Sequence, residues 1–109
     1  MKSRLTGAVI SIALTLTVHN DGESPVDIDF PSGQRYDFEV FAADGASVWH
    51  WADDMFFTMM LGRETLAAGD SLRWTERIED GLPSGAYRVV GTLTAMEPRT
   101  IEASLQVVD

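Results

Sequence analysis

Cysteine is absent from this 109-residue chain, which removes disulfide staples, thiol catalysis and thiolate metal sites together. Histidine is almost absent too: His19 and His50 are the only two, and a nucleophile triad needs serine, histidine and carboxylate converging in a cleft. No glycine-x-serine-x-glycine turn presents a serine of the strained kind that such enzymes use. Pro83, Ser84, Gly85 reads as an ordinary turn. Basic residues are scarce, eight against 17 acidic for a net charge of −9. An acidic surface repels phosphate backbones and anionic headgroups, so neither nucleic acid nor a membrane surface is an expected partner. Paired carboxylates exist at Asp53, Asp54 and at Glu79, Asp80, but sequence neighbours point apart and such acids are usually solvated. Enzymatic activity is therefore not expected.

What is present is an ordinary globular composition, with 45% apolar and 23% charged residues, which can fold by burial alone. The length suits one domain, and residues 1–109 are read as a single unit. Lys2 and Arg4 ahead of the apolar stretch from Leu5 to Val18 superficially resemble a secretory leader. Hydroxylated residues recur through that stretch, and Ile10, Ile12, Leu14, Leu16, Val18 alternate with Ser11, Ala13, Thr15, Thr17. That is the period of a half-buried strand, in a run too short and too polar to cross a bilayer.

The alternation continues. Val26, Ile28, Phe30 stand against Asp27 and Asp29, and Tyr36, Phe38, Val40 against Asp37 and Glu39. Asp44, Gly45 signal a hairpin into a strand over Ser47 to Trp51. Residues 52–64 show neither period and are expected to be irregular, with an acidic helical turn beginning near Asp53. Strands are expected again over Ser71 to Ile78, along Tyr87, Val89, Gly91, Leu93, and from Ile101 to Val108. About seven short strands between turn signals, with no long amphipathic helix, predict an all-β, antiparallel, immunoglobulin-like sandwich of seven to eight strands. Tyr36, Phe38, Trp49, Trp74, Tyr87 and Leu93 are expected in one core. Tyr87 follows a Pro and Gly corner, to which its hydroxyl is expected to tie back.

Two features stand out as possible sites. Trp49 and Trp51 offer indoles on which a sugar or a proline-rich peptide stacks if they are exposed; the expectation is that both pack beneath the 52–64 loop. That loop carries Met55, Phe56, Phe57, Met59, Met60 and Leu61, too many apolar groups for a routine connection. These six are the candidate contact residues for a partner. The methionines, with Met96 and the histidines, raise the question of copper. Their spacing fits no tight ligand motif, and methionine more often fills irregular gaps. Neither a metal nor a cofactor is expected.

Phe30, Pro31, Ser32, Gly33, Gln34, Arg35, Tyr36, Asp37, Phe38, together with Trp49, His50, Trp51, Ala52, Asp53, Asp54, Met55, Phe56, Phe57, Thr58, resemble the signature of the BsuPI family, bacterial intracellular proteinase inhibitors. The likeness continues in Leu66 to Ser71 and in Leu82 to Tyr87 and spans roughly residues 10–108. The resemblance implies a cytoplasmic, non-catalytic protein that binds and restrains an intracellular subtilisin-like serine protease. The alternative is a non-inhibitory interaction or assembly module, a role that sandwich domains often serve.

Overall fold

The computed structural model describes residues 11–108; Ile10, and the reading of the first ten residues as strand and not leader, lie outside them. Among the described residues there are eight strands, all paired antiparallel. In chain order they are β1 (Ile12–His19), β2 (Val26–Phe30), β3 (Tyr36–Ala42), β4 (Ser47–His50), β5 (Gly62–Leu66), β6 (Ser71–Ile78), β7 (Gly85–Leu93) and β8 (Arg99–Val107). One 3-10 turn, Trp51–Asp54, follows β4. The fold is all-β, and its layering is compatible with an immunoglobulin-like sandwich.

One layer is a long two-stranded ribbon. β1 pairs with β6 from Ile12 opposite Ile78 to His19 opposite Ser71, and β2 then pairs with β5 from Val26 opposite Leu66 to Phe30 opposite Gly62. Between the two halves the ladder is interrupted, and Asn20 bridges the break. Its backbone N–H donates to the Asp70 carbonyl at 2.9 Å and its carbonyl accepts from Gly69 at 2.8 Å. The Asn20 side-chain amide donates to the carbonyls of Ser24 and Leu66. A buried amide with every group paired holds a junction that apolar packing alone leaves free to slide.

The other layer is a four-stranded sheet in the order β4, β3, β7, β8. Its β3–β4 hairpin turns at Asp44 and Gly45, where the Gly45 N–H donates to the Ala42 carbonyl and the Asp44 carboxylate accepts from Ala46. Side chains from the two layers interdigitate because alternate residues of each strand share a face. Leu14, Leu16 and Ile78 of the ribbon meet Phe38, Val40 and Val89 of the sheet.

Instead of one core there are two clusters. The second holds Phe30, Leu93 and Ala95, with Val18 and Ile28 against it. Trp74 touches both and bridges them. Of the expected core residues, Phe38 and Leu93 are buried, while Tyr36, Trp49 and Tyr87 lie half-buried against the first cluster. The split follows the break in the ribbon, with Leu16 in its β1–β6 half and Phe30 in its β2–β5 half. The Tyr87 hydroxyl donates to the Pro83 carbonyl at 2.6 Å, the expected tie.

Two boundaries differ from the sequence reading. β4 ends at His50, and Trp51 opens the 3-10 turn instead of closing the strand. β5 begins inside the stretch expected to be irregular and runs on through Leu66. Gly62, Arg63, Glu64 and Thr65 supply no apolar face, so no alternation marks them. What holds this strand is cross-strand chemistry: Arg63 reaches Asp29 at 2.6 Å and Asp27 at 3.4 Å, and the Thr65 hydroxyl donates to Asp27 at 2.7 Å.

Candidate functional site

The irregular segment contracts to residues 55–61, between the 3-10 turn and β5. Its base is fixed by acid and imidazole. Asp37, at the start of β3, accepts from the backbone N–H of Phe38 at 2.8 Å and of Ala52 at 3.2 Å. Its other oxygen meets His50 Nε2 at 2.5 Å, while His50 Nδ1 meets Asp53 at 2.9 Å. Partial burial disfavours charge on the imidazole, but the hydrogen bond to Asp37 and the charges of Asp37, Glu39 and Asp53 outweigh it, so its pKa lies above the ordinary value. His50 therefore links the sheet to the turn from which the loop departs through both ring nitrogens.

An aromatic stack rises beside this base. Trp51 lies flat on Tyr36, with centroids 4.5 Å apart and planes 17° apart, and Tyr36 lies on Trp74 at 5.2 Å and 18°. The Tyr36 hydroxyl donates to Glu76. Burial, with that acceptor beside it, pushes the phenol pKa up to about 12. Phe57 then packs on Trp51 at 5.7 Å, tilted by 54°.

The loop is tethered at its middle as well. The Gly33 N–H donates to the Thr58 carbonyl at 2.8 Å. The approach is so close that a Cβ on Gly33 would stand 2.5 Å from the Thr58 hydroxyl and 3.3 Å from its nitrogen. On the far side, Arg35 bonds Glu64 at 2.9 Å and the Ser32 carbonyl at 2.9 Å while its guanidinium lies 4.5 Å over the Phe30 ring. The same guanidinium fills the space where Gly62 has no side chain. A guanidinium tied to two separate acceptors and resting on an aromatic face is a rigid strut. Arg35 thus braces the 31–35 turn against the start of β5.

Between these anchors the apolar side chains point outward. Phe56 is 99% exposed, Met59 86%, Leu61 74%, Met60 73% and Met55 41%. Of the six candidates only Phe57 turns inward; the other five form a patch. Trp51 packs directly beneath Phe57, as expected, whereas Trp49 packs against the first core cluster and no contact joins it to the loop among the described residues. Sequence reasoning identified the loop but not its anchors Gly33, Asp37 and Arg35. The available signal was that these three sit in the first signature stretch, and the structure places that stretch against the second.

Among the described residues no group of three or more His, Asp or Glu side chains is arranged to hold a metal ion, and no helix is long and apolar enough to cross a membrane. The fold and the loop define a domain that presents a braced apolar segment on a β scaffold. The family model for BsuPI, described as intracellular proteinase inhibitor, matches residues 2–98. The chain belongs to that family. No curated protein matches it. The family match ends just before β8, which nonetheless pairs with β7 from Gly85 opposite Val107 to Leu93 opposite Arg99.

Proposed function

We propose that the chain acts as one domain, residues 1–109, that inhibits an intracellular subtilisin-like serine protease by placing the 55–61 loop in the enzyme's active-site cleft. The observation that carries this reading is five exposed apolar side chains on a segment tied down at its base, its middle and its exit. Exposed apolar surface of this kind marks a contact site. Bracing is what separates an inhibitor from a substrate, because a mobile loop loses ordering entropy on binding and is cut. Membership in a family of intracellular proteinase inhibitors supplies the kind of partner, and apolar specificity pockets suit phenylalanine and methionine.

The test is titration of the purified domain against intracellular and secreted subtilisins, read with a small chromogenic substrate. Stoichiometric inhibition that is lost when Met55, Phe56, Met59, Met60 and Leu61 are all replaced by serine, with circular dichroism unchanged, supports the reading. Absence of inhibition at micromolar concentration, or rapid consumption of the domain, favours the interaction-module alternative.

A further inference from the structure

We propose that Phe56 is the residue that enters the primary specificity pocket of the protease, and that the peptide bond presented to the catalytic serine is Phe56–Phe57. This rests on the inhibitory reading above and narrows it to one side chain. The enzyme it fits has a deep apolar pocket able to take a phenyl ring.

Three observations single out Phe56 from the other exposed residues. It is almost wholly free of the protein, at 99% exposure, so its ring can be engulfed without first being pulled from a core. The residue before it is extended, with Met55 at φ −112° and ψ 151°, and its N–H donates to the Ala52 carbonyl at 3.1 Å. Both residues after it are held: the Phe57 ring on Trp51, and the Thr58 carbonyl by the Gly33 N–H at 2.8 Å. A fully projecting side chain with an extended residue before it and held residues after it suits the way a protease cleft reads a chain. Met59, Met60 and Leu61, by contrast, run as three consecutive unanchored side chains between Thr58 and β5.

The same anchors explain how a protease is stalled. The serine Oγ adds to the Phe56 carbonyl carbon as its proton passes to the enzyme's histidine; the C–N bond to Phe57 then breaks and that proton moves to the Phe57 nitrogen. In an ordinary substrate the new amine diffuses away and water takes its place. Here Phe57 stays on Trp51 and Thr58 stays on Gly33, so the amine remains beside the acyl-enzyme ester. A partner held in place has a very high effective concentration. The amine attacks the ester, the peptide bond re-forms and the serine is released, so cleavage reverses faster than it completes.

Inhibition constants against a panel of subtilisin-like proteases, for the parent chain and for Phe56→Asp, Phe56→Leu and Met59→Asp, test this. A carboxylate in an apolar pocket carries a heavy desolvation penalty, so Phe56→Asp is expected to weaken inhibition by at least about a hundredfold. Phe56→Leu and Met59→Asp are expected to stay within about tenfold of the parent. Because Phe56 leaves the scaffold untouched, its variants keep the parent's melting temperature. Prolonged incubation is expected to yield a trace of nicked chain whose new amino terminus is Phe57. If Met59→Asp matches or exceeds the loss in Phe56→Asp, or the nick falls elsewhere, Phe56 is not the primary residue although the loop still inhibits. If the parent chain inhibits none of the enzymes, both the inference and the reading beneath it fall.

Discussion

His50 is the residue on which the loop's base turns, since it joins Asp37 of β3 to Asp53 of the 3-10 turn. Its folded pKa lies above the unfolded value of 6.5, and a group raised in this way stabilises the fold fully below the unfolded pKa. That contribution disappears as pH rises through the folded pKa. The bond to Asp37 should therefore tighten the loop's base below pH 6.5 and slacken it under alkaline conditions. Comparing melting temperatures of the parent and His50→Gln at pH 6 and at pH 9 checks this: the parent's advantage is expected at pH 6 and should shrink at pH 9. An advantage that does not change with pH would mean that packing, not charge, accounts for His50. The ring is partly exposed, so solvent screening keeps the effect modest.

At the scale of elements, the loop's shape depends on a neighbour that was visible in the sequence only as a turn. Gly33 has no side chain where Thr58 crosses it, and any larger residue pushes the two apart. Gly33→Val is expected to displace residues 56–59 and to weaken inhibition by about tenfold, roughly 1.4 kcal/mol. Circular dichroism and core stability should stay near the parent's, because Phe30 and Phe38 are untouched. Unchanged inhibition would show that Thr58 needs no tether. The strands around this loop were legible wherever burial imposed a period of two, as in Leu14 and Leu16 of β1 or Phe38 and Val40 of β3. β5 was not, because Arg63 and Thr65 hold it through partners 34 to 38 residues away, and no local pattern records a distant carboxylate. The same limit hid the site's anchors. Six apolar residues in one loop are conspicuous in a sequence, but that Phe57 alone turns inward depends on Trp51, which leaves its strand one residue early to become the platform.

Across the whole molecule the dominant fact is a net charge of −9. Of the described arginines, Arg35, Arg63 and Arg88 are engaged by Glu64, by Asp27 and Asp29, and by Glu102, so those cations are largely neutralised where they stand. Asp53 and Asp54 lie exposed at the root of the apolar loop. The presented surface is thus a greasy tip within a negative field. Contact with the pocket should set how long a complex lasts, whereas the field acts during approach, before the tip is in place. Among proteases that the domain inhibits, those with a basic rim around the cleft should associate fastest at low ionic strength. Near 1 M salt the screening length falls to about 3 Å and that advantage should vanish, with dissociation rates little altered. Stopped-flow association rates measured across a salt series decide it. If the ranking of enzymes persists at high salt, the field contributes nothing to choice of partner, and the acidity serves solubility alone.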